Sequence, residues 1–333
     1  MDKLDKFYTK KAIVERCVSV LDFDKYEVIV EPSAGSGAFL EYLPKNKTVA
    51  LDIEPDISSI IKMDFLDTRP PLNYKYLVIG NPPFGKNSSL AKKFFNHAAT
   101  FADTIAFVLP RTFRKVATVN QLNLNFHKVH DELLPLESFE CPDGTPYSVP
   151  CVFQIWKKRS TLREKINLPL EHPDFFFLEE STHYKTASHG NIVIRLGNND
   201  DNDITILNVN LNDWKAFKRI EKAAPNLVNP YKTKLVEKNI EWKVIPDFVF
   251  RRAGGSAGQL SLDYQKAALE GNLFIKVKDK KVLDIFNKMW KDWWSPRKYE
   301  DRANFKWDTA GTPSISKSEL IQAYIKMKEH INE

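Results

Sequence analysis

The fold is decided by one stretch near the N-terminus, Val28-Ile29-Val30-Glu31-Pro32-Ser33-Ala34-Gly35-Ser36-Gly37-Ala38-Phe39-Leu40. A short apolar run ends in an acid, and a Gly-x-Gly turn then leads into a predicted helix at Ala38–Leu43. Glycine lets the backbone turn sharply and lets a ligand approach the peptide groups closely, and the first turn of a helix offers free N–H donors. The stretch predicts a strand–turn–helix unit with a ligand at the turn. A tight turn without a ligand is the alternative.

The spacing of the glycines and the acid Glu31 indicate which kind of ligand the turn would bind. A dinucleotide-binding fingerprint has a third glycine three residues after the second, but this chain has Leu40 there. The carboxylate of Glu31 would repel a phosphate, whereas it suits the cationic amino acid part of S-adenosylmethionine. The stretch therefore favours that ligand over a pyrophosphate.

Outward from this stretch, short apolar runs alternate with helical patterns over residues 1–160. The predicted strands are Tyr26–Glu31, Thr48–Asp52, Tyr76–Gly80, Thr104–Leu109 and Val152–Trp156, and the other predicted helices are Lys10–Leu21 and Ser88–Phe101. Strands that are apolar on both faces are typical of a mostly parallel sheet covered by helices. The pattern predicts a doubly wound α/β sheet, although an α+β domain without a cofactor fits the periodicity equally well.

Two further acids follow predicted strands. Asp52 ends the strand after the glycine turn, where a carboxylate can accept hydrogen bonds from both ribose hydroxyls of a nucleoside; a helix cap is the alternative for Asp52. Asp64 comes soon after, beside Phe65, where it can accept from an adenine amino group. The order of the two acids along the chain indicates a nucleoside-binding site more strongly than either acid does alone.

The decisive segment for function is Tyr76-Leu77-Val78-Ile79-Gly80-Asn81-Pro82-Pro83-Phe84. An apolar strand runs directly into Asn-Pro-Pro-Phe, in which the prolines fix the backbone and remove two N–H donors. The carbonyl groups and the amide oxygen of Asn81 then form a set of acceptors, as needed to hold a substrate amino group through its two hydrogens. The ring of Phe84 can stack on a planar base. Plain turn chemistry is the alternative for this tetrapeptide.

These motifs resemble the S-adenosylmethionine-dependent amino-group methyltransferases, specifically the N6-adenine class that has cofactor motifs first, the catalytic motif next and the recognition region last. The resemblance covers about residues 6–157 and implies a Rossmann-like methyltransferase sheet. It implies Asn81, Pro82, Pro83 and Phe84 as catalytic residues. The cofactor-binding residues it implies are Phe7, Tyr8, Thr9, Glu31, Pro32, Ser33, Ala34, Gly35, Gly37, Phe39, Asp52, Ile53, Asp64, Phe65 and Asn81.

The resemblance also implies a mechanism and a substrate. Asn81 and the Pro82 carbonyl would accept from the two N6 hydrogens of an adenine flipped out of its stack, and the product of the cofactor would be S-adenosyl-L-homocysteine. A later side chain against the flipped base is expected from Tyr147 or Val149. No Cys nucleophile is needed, so we interpret Cys141 and Cys151 as small buried apolar residues.

The length of 333 residues predicts two domains. We place the S-adenosylmethionine-binding domain at 1–160 and an α+β substrate-recognition region at 161–333, whose C-terminal helix, Lys317–His330, packs back on the first domain. Ser316 and Glu319 have the spacing of a capping box at the start of that helix. The polar run Asn198–Asp203 predicts a hairpin loop, since it lacks the spacing of a calcium-binding loop.

A nucleic acid is the partner expected for the second region. Arg251 and Arg252 precede the glycine-rich turn Gly254–Gly258, and we predict that both arginines contact the substrate. The window 273–306 interleaves ten Lys or Arg residues and five acids with tryptophans, as phosphate contact and base stacking require. The alternative is an apolar stripe of a helix containing Phe286, Met289, Trp290 and Trp293.

The composition supplies the remaining expectations. A content of 43% hydrophobic and 28% charged residues with a net charge of +6 is typical of a soluble globular chain. No apolar run reaches the ~18 residues of a membrane span, and three cysteines without a CxxC pair favour neither disulfides nor a metal site. We therefore expect a cytoplasmic protein with no metal and no membrane partner, and its oligomeric state stays open.

The function predicted from the sequence is adenine-N6 methylation of DNA. Methylation of RNA adenine is the nearest alternative, because Asn-Pro-Pro-Phe does not separate the two substrates. Methylation of a protein glutamine is a further alternative, and a nucleic-acid-binding module without turnover is the non-enzymatic one. The intact glycine turn, Asp52 and the tetrapeptide argue against the last.

Overall fold

A computed structural model describes residues 7–141, 143–196, 203–210, 231–295, 306–309 and 313–332. The chain divides into two compact units. The first comprises Met1–Glu171, Arg251–Gln259 and Leu283–Glu333, and the second comprises His172–Phe250 and Leu260–Val282. The sequence predicts one boundary near residue 160, whereas the chain passes between the units several times because segments distant in sequence return to the first unit.

The first unit contains most of the helices and strands that position the site. Its strands are β1 (Tyr8–Thr9), β2 (Val28–Glu31), β3 (Thr48–Asp52), β4 (Ile61–Lys62), β5 (Tyr76–Gly80), β6 (Thr104–Pro110), β7 (Phe126–Leu133), β8 (Phe139–Glu140), β9 (Pro146–Tyr147) and β10 (Cys151–Lys158). Its helices include α1 (Lys11–Val18), α2 (Ser89–Ala98) and α3 (Val116–Val119).

Seven of these strands form a twisted sheet in the order β4-β3-β2-β5-β6-β10-β7. The first five are parallel, with Val30 opposite both Val49 and Val78, and β10 is antiparallel to both of its neighbours. Every residue of β5 and β6 is buried, as expected for strands covered on both faces. The doubly wound, Rossmann-like fold class is therefore confirmed, and it brings the carboxyl ends of β2, β3, β5 and β6 to one edge.

Helices cover the two faces of this sheet. On one face α1 contributes Ile13, Val14 and Cys17 to an apolar core. On the other face α2 contributes Phe94 and Phe95 to a second core. Because both helices keep their apolar residues on one side, each buries a stripe against the sheet and leaves its polar residues in water.

The segment after the glycine turn differs from the prediction of a helix at Ala38–Leu43. Only a single 3-10 turn forms there, at Leu40–Tyr42. Gly37 has a φ of 81°, outside the helical region, and Pro44 follows closely, so too few residues lie between them for an α-helix. The predicted helix N-terminus that would supply N–H donors to a ligand is therefore wrong.

A small second sheet in the order β1-β8-β9 was not predicted. Tyr8 pairs with Glu140, and Phe139 pairs with Tyr147. These strands are two residues long, so their sequence has no alternation to detect. They join the N-terminal segment to the loop before β10.

The end of the chain contributes α5 (Lys317–Asn332) to the first unit. The predicted capping box is confirmed, because the Ser316 N–H donates to Glu319 at 2.9 Å and the Glu319 N–H donates to Ser316 Oγ at 3.3 Å. Lys115 Nζ also donates to the Glu319 carboxylate at 3.0 Å. A preceding helix, α4 (Lys281–Met289), contributes buried Phe286 and Met289.

The second unit contains two sheets. One has the order β11-β17-β15-β16, from β11 (Phe175–Phe177), β15 (Phe248–Arg251), β16 (Leu260–Ser261) and β17 (Asn272–Val277). The other has the order β13-β12-β14, from β12 (Tyr184–Leu196), β13 (Asp203–Asn210) and β14 (Tyr231–Trp242). β12 and β13 pair antiparallel as a hairpin requires, but residues 198–202 of the predicted loop lie outside the described residues. Within the described ranges, no helix has the length and apolarity to cross a bilayer.

Candidate functional site

A cavity of about 370 Å³ opens at the carboxyl ends of β2, β3, β5 and β6. All four residues of the tetrapeptide and Tyr147 line it. It is also lined by every predicted cofactor-binding residue except Gly37, namely Phe7, Tyr8, Thr9, Glu31, Pro32, Ser33, Ala34, Gly35, Phe39, Asp52, Ile53, Asp64, Phe65 and Asn81. Ligands of open α/β sheets bind in this position, outside the carboxyl ends of the strands. The structure thus brings the predicted catalytic residues and all but one of the predicted cofactor-binding residues into one cavity.

The two glycines of the turn have different roles. Gly35 has a φ of 50° and lines the cavity, and a Cβ there would lie 3.4 Å from the ring of Tyr8. Gly37 does not line the cavity; its φ is 81°, and a Cβ would lie 2.9 Å from Ile57. Glycine is required at position 37 by its backbone conformation and by the close approach of Ile57. At position 35 glycine leaves the backbone accessible from the cavity.

Glu31 is a buried acid at the end of β2. Its side chain is 2% exposed, and its Oε2 has no hydrogen-bond partner among the described residues. Burial raises the pKa of the Glu31 carboxyl well above its usual value, and the charge of Asp52 adds to this rise. A buried carboxylate without a donor is unfavourable, so Glu31 fits a ligand that brings its own cationic donor.

Asp52 holds the glycine turn. One carboxylate oxygen accepts from the Gly35 N–H and the other accepts from the Glu54 N–H, both at 2.8 Å. No helix begins between β3 and β4, a stretch that the structure describes in full, so Asp52 supports turns and the helix-cap alternative is wrong. Each oxygen retains further acceptor capacity, so Asp52 can support the turn and still accept from ribose hydroxyls.

The segment after β4 is built into the apolar core. Asp64 accepts from the Leu66 N–H at 2.9 Å and so caps the 3-10 turn Phe65–Asp67. Phe65 is 1% exposed and packs against Phe94, with ring centroids 5.2 Å apart, and edge-on against His97. Ile53, by contrast, is 50% exposed at the rim of the cavity.

Asn81 lines the cavity and carries a buried acceptor. Its Oδ1 is buried and has no hydrogen-bond partner among the described residues. Its Nδ2 donates to the carbonyl of Phe7 at 3.5 Å, and its own carbonyl accepts from Ser33 Oγ at 2.9 Å. The first contact sets the side-chain amide and the second ties the tetrapeptide to the glycine turn. The amide oxygen that remains is an acceptor without a donor.

The aromatic residues around Asn81 form one wall. Phe84 meets Phe139 edge-on, with ring centroids 6.4 Å apart. Tyr147 stacks on Phe7 at a centroid distance of 3.7 Å and an interplanar angle of 6°. Val149, the other candidate against the base, is buried and also lines the cavity. Phe7 thus occupies one face of the Tyr147 ring, whereas Val149 presents no such stacked contact.

Arg251 and Arg252 do not line the cavity, as far as the described residues form it. Arg251 is exposed, and its Nε donates to the Ala253 carbonyl at 3.1 Å. Gly258, in the turn that follows, has a φ of 99°, and a Cβ there would lie 2.9 Å from Trp294. Gly258 is therefore used for packing within the first unit. The predicted contact of the arginines with substrate stays a prediction.

The tryptophans of the window 273–306 are partly core residues. Trp294 is 1% exposed and is a core residue. Of the alternative apolar stripe, Phe286 and Met289 are buried, whereas Trp290 and Trp293 are half-buried. Lys306 is equally buried, with its Nζ 4.8 Å from the ring centroid of Trp290 and 4.3 Å from that of Trp307. The expectation that Lys306 meets a phosphate is wrong for this reason. Residues 296–305, including Arg297, Lys298 and Arg302, lie outside the described residues.

Sequence reasoning missed several residues of the cavity wall, among them three that lie outside the predicted motifs. These three are Ser88, Pro110 and Phe139. Pro110 directly follows a predicted strand, so its position at a strand end was a usable signal. Ser88 reaches the cavity because the loop after the tetrapeptide returns to it, and Phe139 reaches it from the two-residue strand β8. Local sequence patterns reveal neither arrangement.

Comparison with known proteins gives a likeness of fold. No protein-family model and no curated protein sequence matches the chain. Among solved structures, it is similar to a protein from Pyrococcus horikoshii provisionally named as an RNA methyltransferase, at 14% identity over 46% of this chain and 87% of that chain with a TM-score of 0.36. It is also similar to the 23S rRNA methyltransferase ErmE, at 15% identity over 47% and 71% with a TM-score of 0.37.

A third similar structure is the modification subunit of a type I restriction enzyme, provisionally so named, from Vibrio vulnificus. The identity is 14% over 70% of this chain and 56% of that chain, with a TM-score of 0.38. At these identities and TM-scores the likeness assigns no substrate and no activity to this chain. The class that fold and cavity define is a Rossmann-like α/β chain with a cavity beyond the carboxyl ends of β2, β3 and β5.

Proposed function

We propose that the chain is an S-adenosylmethionine-dependent methyltransferase that transfers a methyl group to the N6 amino group of adenine in DNA. One observation carries the proposal most directly. Asn81 lines the cavity, and its Oδ1 is buried and lacks a donor among the described residues. A substrate amino group supplies the donor that this oxygen lacks.

The residues at the ends of β2 and β3 fit the cofactor. Glu31 offers a buried carboxylate to its cationic amino group, and Asp52 offers acceptors to its ribose. The Gly35 backbone allows close approach. When bound, S-adenosylmethionine supplies a methyl group on a positively charged sulfur. The proposed cofactor residues and Asn81 share one cavity, so the methyl group and the amino group can meet in it.

The chemistry assigned to the tetrapeptide is polarisation of a poor nucleophile. The lone pair of an adenine amino group is delocalised into the ring. Asn81 Oδ1 and the Pro82 carbonyl would accept its two hydrogens, pull the nitrogen toward tetrahedral geometry and localise that lone pair. The acceptors are held in place before the substrate arrives, because Ser33 Oγ donates to the Asn81 carbonyl, and such pre-organisation favours the transition state. Phe84 would stack on the base.

RNA adenine is the nearest alternative substrate, and the amide of a protein glutamine is a further one. All three present a planar amino group to the same acceptors, so the cavity accommodates each of these chemistries. The exposed side chain of Arg251 and the charge of +6 favour a nucleic acid, because cationic side chains contact its phosphates. Arg251 and Arg252 therefore remain our candidates for the backbone of the substrate.

The test is methyl transfer from tritiated S-adenosylmethionine to duplex DNA, single-stranded DNA, RNA and protein in parallel, followed by identification of the methylated residue. We expect N6-methyladenine in DNA. Asn81→Ala should lower kcat by about 10²-fold or more, as for other pre-organised polar groups that act at a transition state, while cofactor affinity changes little. Asn46→Ala, an exposed residue that does not line the cavity, is the control.

Each outcome has a defined meaning. Label in RNA or protein alone would replace DNA by that substrate. Label on cytosine or guanine would overturn the assignment of adenine. If Asn81→Ala methylates adenine at the wild-type rate, the polarisation mechanism is wrong.

A further inference from the structure

The loop after the tetrapeptide returns to the cavity. Gly85 has a φ of 65°, and a Cβ there would lie 2.8 Å from Leu90 Cβ, so only glycine fits. The Phe84 carbonyl accepts from the N–H groups of Leu90 and Ala91 at 3.2 and 3.3 Å. These contacts place α2 directly behind the tetrapeptide. Ser88, which precedes α2, is thereby brought to the cavity wall, where it is 2% exposed.

Ser88 sits in an uncommon backbone conformation. It has a φ of 58°, and Asn87 before it has a φ of 54°. Two successive non-glycine residues in the left-handed region are unfavourable, and such conformations persist where the surrounding structure enforces them. Here they turn the buried Ser88 side chain toward Thr112.

A partner hydroxyl orients Ser88. Its Oγ lies 2.6 Å from Thr112 Oγ1, in the turn Arg111–Arg114 that follows β6. A hydroxyl has one hydrogen to donate and two lone pairs to accept with. When Thr112 donates to Ser88, the hydrogen of Ser88 points away from Thr112 and is available to an acceptor in the cavity.

The sheet order locates this hydroxyl relative to Asn81. β5 lies between β2 and β6. The proposed cofactor residues Glu31 and Asp52 lie on the β2 and β3 side, whereas Ser88 is held by Thr112 beyond β6, where Pro110 also lines the cavity. Ser88 is therefore on the side of Asn81 opposite the proposed cofactor residues, the side to which we assign the substrate base.

We propose that Ser88 reads the substrate base. Its hydroxyl, oriented by Thr112, donates to a ring nitrogen next to the reacting amino group, N1 or N7 of adenine. The proposal rests on the function proposed above and adds a specificity-determining contact to it. Both ring nitrogens are acceptors that flank the amino group, so a single donor beside the Asn81 acceptor completes a pattern that matches adenine.

The test compares variants and substrate analogues. The probe is the DNA methylated in the preceding assay, with adenine, 1-deazaadenine or 7-deazaadenine at the target position. Ser88→Ala should lower kcat/KM on adenine by about 10- to 100-fold, in line with loss of one such base contact. On the analogue that lacks the recognised nitrogen, wild type and Ser88→Ala should be equal. The identity of that analogue distinguishes N1 from N7.

Two further variants separate recognition from folding. Thr112→Val removes the orienting hydroxyl outside the cavity lining and should reproduce part of the loss on adenine. Ser89→Ala removes an exposed hydroxyl that does not line the cavity and should match wild type. Cofactor affinity should not change in any of the three variants.

Several results would overturn the role of Ser88. One is wild-type kcat/KM in Ser88→Ala, and another is an equal loss on adenine and on both analogues, which indicates a structural role. If Ser88→Ala does not fold, wild type alone decides the matter, since full activity on both analogues excludes a contact to either nitrogen. Absence of adenine methylation by wild type would instead overturn the proposed function itself.

Discussion

At the scale of single residues, Glu31 couples cofactor binding to pH. Burial and the nearby charge of Asp52 raise the pKa of its carboxyl. A bound cationic amino group would favour the ionised form, so binding should release protons at pH values below the raised pKa. We expect affinity for S-adenosylmethionine to increase as pH rises from the ordinary glutamate value of about 4.3 toward the raised value.

Glu31→Gln tests this coupling. Calorimetry in buffers of different ionisation enthalpy should show weaker binding, no proton release and a flatter pH dependence than wild type.

The unfolding free energy of the ligand-free protein should respond to pH in the opposite direction from the affinity. Because the folded pKa is raised, ionisation costs the ligand-free wild type stability as pH rises above about 4.3 until the raised value is passed, and Glu31→Gln should remove that loss. Glu41→Gln, an exposed control, should change neither property; equal affinity and pH profiles in Glu31→Gln and wild type would remove Glu31 from the site.

At the scale of elements, the capping box at the start of α5 should make a measurable contribution to the unfolding free energy. Ser316→Ala removes the oxygen that accepts from the Glu319 N–H and should cost about 0.5–2 kcal/mol of unfolding free energy. Glu319→Ala should cost more, because it also removes the contacts to the Ser316 N–H and to Lys115. Urea denaturation measures both. Ser318→Ala, inside the helix, should be neutral or stabilising because alanine is the better helix former; a similar loss in Ser318→Ala would contradict the capping role.

The same scale shows what the sequence could predict. The strands Thr48–Asp52 and Tyr76–Gly80 form at their predicted bounds. Tyr76–Gly80 is buried on both faces, and such a strand is a continuous apolar run that the sequence reveals. The capping box is equally local. The predicted helix after Gly37 fails because a positive φ and a nearby proline override its helical pattern. The sheet β1-β8-β9 depends on pairing between residues about 130 positions apart, which no local pattern encodes.

Some residues of the candidate site can be predicted from local sequence patterns, and others depend on the tertiary fold. Glu31, Asp52 and Asn81 were identified because each directly follows or ends a predicted strand, and strand ends converge at one edge of a parallel sheet. Ser88 was missed because its place on the wall depends on the left-handed backbone of Asn87 and Ser88. The stacking of Phe7 on Tyr147 was missed because it crosses between two short strands.

At the scale of the whole molecule, a buried ion pair joins Asp308, in the last part of the sequence, to Arg111, which follows β6 of the sheet. Arg111, the residue after β6, donates through Nε and through an Nη to Asp308 Oδ1 at 3.1 and 3.0 Å. Arg111 is 1% exposed and Asp308 is 4% exposed. Burial raises the pKa of the Asp308 carboxyl even though the Arg111 charge opposes this rise. Residues from the last part of the sequence thus complete the unit that contains the cavity.

This pair predicts that residues near 308 stabilise the fold of the first unit. Asp308→Ala leaves a buried guanidinium without its carboxylate and should lower the unfolding free energy by about 3–5 kcal/mol, measured by chemical denaturation. The double variant Arg111→Met with Asp308→Leu should regain much of this loss, because two apolar side chains avoid the cost of a buried unpaired charge. The matched control is the pair of Lys11 and Glu41, whose side chains are 71% and 54% exposed, so Glu41→Ala should leave the midpoint nearly unchanged. Equal midpoints for Asp308→Ala and Glu41→Ala would show that the buried pair does not stabilise the first unit. A large difference, recovered in the double variant, would show that a segment far from every motif stabilises that unit.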